Sequence, residues 1–351
     1  MPVHSISHDV LPSSAFQLQG ADLDTLTRWH ARYAVNPSSM PALASMTHVL
    51  TLTGISGGFG VQQTGNVLLA AGEPLAPTWA WPDFASALLT LARQLKAVPC
   101  FAPVGTEFAA ILHAAGLCSV RLGSTPYIHL QDWPQRGNVG AKIRHAVNRA
   151  ARDGVEIRAA RPPSTPEAAL RWRGEVEALC AQWLRERKAN VPFHWVFELQ
   201  PLRHLHAKRY FEARQGGQLV GLIAASPLPG RAGWYLEDVL QDPRASTSTG
   251  TALVAAALSA LKADGVRLAT LGGVPLSSMR GWDGADVTRL ERWAYRLRPL
   301  LSTVYSFDGL ERFKQRFGPA HWEDEYVVFP AGTWRSIRVG AALGQLILRG
   351  H

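Results

Sequence analysis

The chain is poor in the residues that build cross-links, metal sites and membrane spans. Its 351 residues include three cysteines, which lie far apart and form no Cys-x-x-Cys pair. An odd number of scattered cysteines argues against a disulfide framework or a zinc knuckle. No run of about 18 apolar residues occurs, and the N-terminus lacks the pattern of a secretion signal. We therefore expect a cytoplasmic protein in which Cys100, Cys118 and Cys180 are small buried apolar residues.

Motifs for metal and covalent catalysis are also scarce. No His-Glu-x-x-His pair is present, and no order of serine, histidine and acidic residues indicates a catalytic triad. The glycine-rich stretch 57–60 lies between two predicted strands, whereas dinucleotide-binding loops and P-loops precede a helix. The sequence therefore predicts neither a bound metal nor a covalent nucleophile.

Basic residues outnumber acidic ones. The 36 Lys and Arg and 27 Asp and Glu give a net charge of +9, which favours anionic partners such as nucleic acid or a membrane surface. Segment 136–161 holds seven bases and two acids, and segment 289–316 holds seven bases and three acids. A solvated helix face explains such a segment, and so does a docking site for an RNA backbone or lipid headgroups.

Hydrophobic periodicity predicts a similar order of elements in both halves of the chain. The first half has a predicted helix at 22–34, strands at 46–53, 58–63 and 66–71, a helix at 82–96, a strand at 97–102, a helix at 106–115 and a strand at 118–122. The second half has helices at 141–153 and 167–188, strands at 155–159, 207–214, 219–227 and 232–240, a helix at 249–263, a strand at 266–271, helices at 286–298 and 307–317, and a strand at 325–329. Residues 1–20 are predicted to be a loose lead-in. We interpret this order as two copies of one α/β unit.

The repeat predicts an N-terminal domain at 1–122, a C-terminal domain at 123–330 and a tail at 331–351. In the tail, Trp334, Ile337, Ala341 and Leu348 lie near one side of a helix, with arginines off that side. A basic amphipathic helix can lie in a membrane interface, or it can pack back on its own domain.

The helix at 307–317 is the first candidate site. Its phenylalanines and Leu310 fall at helical spacing and form one apolar face, from which Lys314 points away. Lys314 is either a solvated base on a packing helix or a cation in a cleft that meets an anionic substrate. Arg312 and Arg316 are weaker candidates for the same contact.

A helix start in the second half could bind a phosphate. Thr249, Gly250 and Thr251 open the helix at 249–263, just after a strand. Free N–H groups at a helix start bind phosphates, although ordinary Ser/Thr capping explains the pattern equally well.

Charged candidates stand near this helix start and on the basic helix. Glu237 and Asp238 lie at the end of the preceding strand, where a carboxylate is either a cap or a functional group. Lys142, Arg144 and Arg149 are the candidates for binding a phosphate backbone.

Several segments, taken in order, resemble one family. They are 33–52, the turn at 71–74, the segment 116–123, the basic helix at 142–149, the turn Leu-Gly-Gly-Val-Pro-Leu-Ser at 271–277, and the block at 305–322. That block reads Tyr-x-Phe-x-Gly-Leu-x-x-Phe-Lys-x-x-Phe-x-Pro-x-x-Trp. The set resembles the soluble catalytic region of the phosphatidylglycerol lysyltransferases and alanyltransferases. In this chain Gln241 stands where that family has the arginine of an Asp-Leu-Met-Arg block, and Glu73 replaces an aspartate.

The resemblance implies two tandem GNAT-like folds (the fold of acyl-CoA N-acyltransferases). It also implies that an amino acid moves from aminoacyl-tRNA to a lipid hydroxyl without a bound cofactor. Lys314 would then neutralise the ribose-phosphate end of the tRNA or the developing oxyanion. Asp238 would hold the α-ammonium group of the amino acid or orient the acceptor hydroxyl.

The implied partners are aminoacyl-tRNA and an anionic phospholipid or membrane surface, which places the protein at the inner face of the cell membrane. Arg144 and Arg149 would bind phosphate. The turn residues Gly272, Pro275 and Ser277 would contact substrate.

Two other functions remain open. In an acetyl-CoA-dependent N-acetyltransferase, the helix start at 249–251 would hold the pyrophosphate. Only Gly250 of the expected Arg/Gln-x-x-Gly-x-Gly/Ala loop is in place. The other alternative is a non-catalytic module that binds tRNA or membranes.

Overall fold

The computed structural model describes residues 15–39, 46–133, 137–185, 199, 201–203, 207–275, 277 and 307–349. Within these ranges the chain forms one mixed sheet of 13 strands. The strands are β1 Phe16–Gly20, β2 His48–Leu52, β3 Phe59–Thr64, β4 Val67–Ala70, β5 Val98–Gly105, β6 Cys118–His129, β7 Val155–Ala160, β8 Arg209–Gln215, β9 Gln218–Leu228, β10 Gly233–Gln241, β11 Leu268–Thr270, β12 Val274–Pro275 and β13 His321–Phe329. The helices are α1 Leu23–Tyr33, α2 Trp81–Gln94, α3 Thr106–Ala114, α4 Gly137–Arg152, α5 Pro166–Arg185, α6 Thr249–Ala263, α7 Phe307–Gln315 and α8 Thr333–Arg349.

The order of strands occurs twice in the sheet. Strands β2, β3 and β4 form an antiparallel meander, and β5 pairs parallel with β4 after the crossover helix α2. Strands β8 to β11 repeat this arrangement with α6 as the crossover helix. Strands β1 and β7 pair with β2 and β8 at the two outer edges. The prediction of two α/β units with mostly antiparallel, helix-flanked sheets is confirmed.

The two units exchange their last strands at the centre of the sheet. The order there is β5-β13-β6-β11. Strand β6 of the first unit pairs with β11 of the second, and β13 of the second unit pairs with β5 of the first. Strands β13 and β6 also pair with each other. The boundary predicted between 122 and 123 falls inside β6, so the chain passes from one unit to the other within a strand.

Most predicted elements in the described residues are confirmed within a few positions, and the misses have physical causes. Residues 16–20 were predicted to be a loose lead-in, which is wrong for β1. Only Phe16 of this edge strand is buried, so the strand lacks a clear alternation of buried and exposed residues. Strand β6 was predicted to end at 122 but continues to His129, because partners distant in the sequence pair with its polar half. The helix predicted at 286–298 lies outside the described residues.

The cysteine prediction holds for one residue only. Cys100 is buried, whereas Cys180 is half-buried and Cys118 is exposed. Cys118 begins β6 and pairs with Phe329 at the end of β13. Burial raises the pKa of the Cys180 thiol to about 12, with a further contribution from the charge of Asp238.

Helix α8 packs back onto the first unit. Val339, Ala342 and Leu346 are buried against the apolar face that includes Val67 of β4 and Phe329 of β13. The predicted apolar side is therefore not the packed one: Trp334 is 77% exposed and Ile337 is 56% exposed. Ala341 is exposed as well.

Among the described helices, none combines the length and the apolar character needed to cross a bilayer.

Candidate active site

Lys314 points into the junction between the two units. Its side chain is only 6% exposed, although the helix around it is strongly polar. The Nζ atom donates hydrogen bonds to the carbonyl oxygens of Gly272 at 2.7 Å and Gly273 at 2.8 Å. Phe317, one turn further on, is fully buried in the core of the second unit, which fixes the position of α7. The burial of the side chain excludes the alternative of a solvated base on a packing helix. The prediction that Lys314 points away from the apolar face is wrong, because residue 314 lies four positions after Leu310 and three before the buried Phe317, on the same side of the helix.

Glu325 lies beside Lys314 on the exchanged strand β13. It belongs to the second unit but stands between Gly105 of β5 and Gly123 of β6, two strands of the first unit. Thr125 Oγ1 donates to Glu325 Oε1 at 2.7 Å. The other carboxylate oxygen lies against Gly273, where an added Cβ would be 2.7 Å from Oε2. A side chain at 273 would therefore displace the carboxylate.

Burial shifts the pKa values of both Lys314 and Glu325 toward 7. Desolvation lowers the pKa of Lys314 to about 7, partly offset by the charge of Glu325. Desolvation raises the pKa of Glu325 to about 7. The hydrogen bond from Thr125 and the charge of Lys314 lower that pKa, whereas Glu73 raises it. Two groups that titrate near neutral pH at a buried junction are typical of an acid–base site.

A second carboxylate, Glu73, holds the first unit onto this junction. It accepts hydrogen bonds from Asn36 Nδ2 at 2.9 Å, Ser38 Oγ at 2.6 Å and the backbone N–H of Gly105 at 2.7 Å. Tyr127 of β6 donates its hydroxyl to Asn36 Oδ1 at 3.0 Å. All five residues are buried, so this network fixes β6 relative to the end of β5.

Glu237 and Asp238 lie on a β-bulge of β10. The register with β9 shifts between Leu236 and Asp238, which allows two neighbouring side chains to face the same side. The side chain of Glu237 is 9% exposed and pairs with Lys208 Nζ at 2.5 Å, and it accepts a hydrogen bond from Ser226 at 3.0 Å. Burial raises its pKa. Glu237 is thus engaged by protein groups.

Asp238 lies in different surroundings from Lys314. Its side chain is 5% exposed, and its charge raises the pKa of both Cys180 on α5 and Tyr210 on β8, after burial as the main cause. The charged neighbour of Lys314 is Glu325. The structure therefore brings Lys314 together with Glu325, and it places Asp238 on the side of the sheet that α5 covers.

The start of α6 is filled by side chains of the protein. Gln241 Oε1 accepts the backbone N–H of Gly250 at 2.8 Å. Arg316 Nη1 donates to Thr251 Oγ1 at 2.8 Å, and Thr249 is fully buried. A pyrophosphate at this helix start would have to displace the Gln241 cap. Gln241 thus occupies the helix start where an acetyl-CoA enzyme would bind the pyrophosphate.

Replacing this cap should weaken the second unit. We expect Gln241→Leu to lower the free energy of unfolding by about 1–2 kcal/mol, because it leaves the N–H of Gly250 unbonded and removes one of the two hydrogen bonds to the carbonyl of Ser246. Urea denaturation measures the change. The control is Gln345→Leu at an exposed position of α8, which should stay within about 0.5 kcal/mol. Equal stability of the two variants would contradict the capping role.

The predicted turn residues lie next to the junction. The carbonyl of Gly272 accepts a hydrogen bond from Lys314, and Pro275 in β12 pairs with Gly123 of β6. Backbone contact is close here, since a Cβ at Gly123 would lie 2.3 Å from the carbonyl oxygen of residue 274. Ser277 Oγ and Ser124 Oγ are 2.7 Å apart and buried. These contacts position the two carbonyls that bind Lys314.

The predicted phosphate-binding bases remain at the surface. Lys142, Arg144 and Arg149 are exposed on α4, whose opposite face packs on the second unit. Arg149 forms a 3.8 Å ion pair with Asp153 one turn later. Arg312 on α7 is exposed and donates to a backbone carbonyl of its own helix. These side chains are accessible to a polyanion but do not enter the junction.

Sequence reasoning missed Glu325 and Thr125 as site residues. One signal was present: Glu325 precedes the apolar run 326–329 in a strand, and a carboxylate at the inner end of a buried strand requires a partner. Nothing in the sequence indicated which partner, because Thr125 and Gly273 come from two other segments. Within the described ranges, no cluster of three side chains suited to a metal ion occurs.

Comparison with known proteins identifies the family of the chain. The family profile described as phosphatidylglycerol lysyltransferase, C-terminal, matches residues 29–329. The chain belongs to this family. The match spans both units and includes the exchanged strands and the Lys314–Glu325 junction. The family suggested by the ordered motifs is thereby confirmed.

Two solved structures share the fold of this phosphatidylglycerol lysyltransferase C-terminal region. One is the C-terminal domain of a protein described as a lysylphosphatidylglycerol synthetase from Agrobacterium fabrum, with a TM-score of 0.78 and 18% identity over 94% of this chain and 97% of the other. The second is L-PGS from Bacillus licheniformis, with a TM-score of 0.76 and 20% identity over 94% and 97%.

Curated sequence relatives match over a shorter stretch. The lysylphosphatidylglycerol biosynthesis bifunctional protein LysX of Nocardia farcinica is 32% identical over 102 residues, which are 29% of this chain and 9% of the relative. LysX of Mycolicibacterium gilvum is 34% identical over 92 residues, which are 26% of this chain and 8% of that protein. Each match thus covers under a tenth of the relative.

Proposed function

We propose that the chain transfers an amino acid from aminoacyl-tRNA to a hydroxyl group of phosphatidylglycerol or a similar anionic lipid. The single observation that carries the proposal is the buried Lys314–Glu325 pair at the junction of the two units. The pair lies inside the segment that matches a phosphatidylglycerol lysyltransferase family. The names of the relatives make a lysyl donor the first to test.

The chemistry requires alignment and proton transfer more than a strong nucleophile. The hydroxyl oxygen of the lipid attacks the ester carbonyl carbon, and the bond from that carbon to the ribose oxygen breaks. The hydroxyl proton passes to the ribose oxygen, so the reaction is balanced without a co-reactant. An ester is exchanged for an ester, and the enzyme must therefore stabilise the tetrahedral oxyanion between them.

The ammonium group of Lys314 is suited to stabilising the tetrahedral oxyanion. An ammonium group has three N–H bonds, and the carbonyls of Gly272 and Gly273 occupy two of them. The third is available for a developing negative charge. The two carbonyls fix the direction of that N–H bond before substrate arrives, which is the geometric condition for transition-state stabilisation.

Glu325 is suited to proton transfer. Thr125 occupies Oε1, and Oε2 lies against Gly273 beside the carbonyls that bind Lys314. With a pKa raised to about 7, the carboxylate can accept the proton of the lipid hydroxyl and return it to the ribose oxygen. The exposed bases of α4, Arg144 and Arg149 among them, would bind the phosphate backbone of the tRNA.

The test is a reconstituted transfer reaction. Purified protein is mixed with phosphatidylglycerol vesicles and lysyl-tRNA or alanyl-tRNA carrying a labelled amino acid, and the lipids are extracted. We expect label in the lipid fraction with one of these donors. We expect none with phosphatidylcholine vesicles, because the phosphatidylcholine headgroup has no free hydroxyl. Binding of tRNA and vesicles without any labelled lipid would support the non-catalytic module instead.

The acetyl-CoA alternative is tested separately. Because Gln241 caps the start of α6, we expect isothermal titration with acetyl-CoA to show no binding at micromolar concentration. Tight binding would favour the N-acetyltransferase.

A further inference from the structure

A basic groove lies between the C-terminal end of α2 and the start of α8. We call it the α2–α8 groove. It has a volume of ≈ 460 Å³, and four cationic side chains line it: Arg93, Lys96, Arg335 and Arg338. None of its lining residues is acidic. The groove therefore carries an unbalanced positive charge.

The groove is separate from the Lys314–Glu325 junction. Val98 at the start of β5 lines the groove, and Gly105 at the other end of that strand donates its N–H to Glu73. Seven residues of extended strand separate the two ends by about 23 Å. Changes in the groove can thus be made without touching the junction.

The arginines of α8 have neutral partners. Arg335 donates to the carbonyl oxygen of Ala331 at 3.0 Å. Arg338 donates at 3.0 Å to the side-chain oxygen of Asn66, in the amide orientation that satisfies both groups. Among the described residues, neither arginine forms an ion pair with a carboxylate. Their charges remain available to an anionic ligand.

Large apolar residues that neighbour these cations in the chain are exposed at the surface. Trp334 is 77% exposed, Ile337 is 56% exposed, and Leu95, next to Lys96, is 41% exposed. The opposite face of α8 is buried on the sheet, so the helix cannot rotate to hide Trp334 and Ile337. Exposed apolar residues at helical spacing beside arginines are the arrangement of a helix lying in a membrane interface.

We propose that the α2–α8 groove docks the chain on an anionic phospholipid bilayer. The four cations bind lipid phosphates, and Trp334 and Ile337 enter the interface between headgroups and acyl chains. An RNA backbone would satisfy the cations but would leave the apolar side chains in water, which favours the bilayer. The proposal rests on the proposed function only in that the acceptor there is a lipid.

The experiment measures flotation of the purified chain with vesicles, without tRNA. The vesicles contain phosphatidylcholine with or without phosphatidylglycerol. Each basic residue at such a surface contributes about 1 kcal/mol, so R335Q/R338Q should weaken binding to the anionic vesicles about 30-fold. The matched control R28Q/R32Q removes the same charge from exposed positions of α1 and should change binding less than about threefold.

The tryptophan distinguishes a bilayer from a simple polyanion. Trp334→Ser should weaken vesicle binding about tenfold. The control is Trp79→Ser, since Trp79 is also largely exposed (68%) but precedes the N-terminal end of α2, whose C-terminal end lines the groove, and we expect no change. Equal binding by the two variants would overturn the proposal. So would an R335Q/R338Q variant that loses tRNA binding and keeps vesicle binding.

A transfer assay separates this proposal from the proposed function. With phosphatidylglycerol dissolved in detergent micelles, R335Q/R338Q should turn over like the unmodified chain, whereas on vesicles its rate should fall with its binding. If the unmodified chain transfers no amino acid to phosphatidylglycerol in micelles, the proposed function alone is contradicted. Equal rates of variant and unmodified chain on vesicles would contradict the docking surface alone.

Discussion

Replacing Lys314 by methionine is expected to lower the turnover of aminoacyl transfer by about a thousandfold. Methionine matches the length of much of the lysine side chain but has no N–H group, so the oxyanion loses its aligned donor. The carbonyls of Gly272 and Gly273 lose their partner as well. Steady-state rates with aminoacyl-tRNA and phosphatidylglycerol in micelles measure the effect.

The control for this variant is Lys262→Met. Lys262 also donates its Nζ to two backbone carbonyls, those of Gln131 and Trp133, but it lies at the end of α6 outside the junction. If loss of a carbonyl-bound lysine acted only through stability, both variants would lose activity alike. Unchanged turnover of Lys314→Met in a folded protein would exclude the proposed role.

Replacing Glu325 by glutamine is expected to abolish transfer and at the same time stabilise the fold at pH 8. The pKa of Glu325 is raised from 4.5 to about 7 in the folded state. Between these values the folded protein holds a proton that the unfolded chain releases, so the stability of the wild type falls as the pH rises through this window. At pH 8 the folded protein bears the full free-energy cost of an ionised, buried carboxylate. Glutamine, which carries no charge, removes up to about 3 kcal/mol of this cost.

The pH dependence makes this prediction specific. At pH 5 the folded wild type already carries a protonated Glu325, and the advantage of glutamine should shrink to under about 1 kcal/mol. Urea denaturation at pH 5 and pH 8 measures both values. The control is Glu212→Gln, because Glu212 has a lowered pKa among Arg158, Arg214 and Trp172, and its replacement should destabilise the protein at pH 8. A Glu325→Gln variant that is less stable than the wild type at pH 8 would contradict the burial argument.

Activity and stability oppose each other at this position. A buried carboxylate with a raised pKa costs folding free energy, and a chain without a use for it gains by replacing it. Loss of transfer together with a gain in stability would therefore identify Glu325 as a functional group.

The local structure of this protein was largely predictable. Hydrophobic periodicity located the meanders, the crossover helices and the helix that carries Lys314, because each of these follows from the spacing of apolar residues in one segment. It failed for β1, whose alternation spans five residues and buries only Phe16. The polar half of β6 was also missed, since it is a strand only through its pairing with β13 and β11.

The candidate site was predictable only in part. Lys314 was found because it lies in a recognisable block of residues, but its hydrogen bonds to Gly272 and Gly273 depend on a turn about 40 residues away in the sequence. Asp238 and Lys314 were expected to act together, and the structure gives them different surroundings. The basic residues of α4 are exposed as a charge run predicts, and their role in binding tRNA stays a prediction.

The sequence by itself determined the two α/β units, the family and the helix with Lys314 at its centre, because spacing and motifs are properties of single segments. Only the tertiary structure decided what Lys314 meets. The exchange of β6 and β13 brings Glu325, Thr125 and the Gly272–Gly273 turn to one buried junction. Burial there moves both pKa values to about 7, and burial depends on contacts among residues that are up to 200 positions apart.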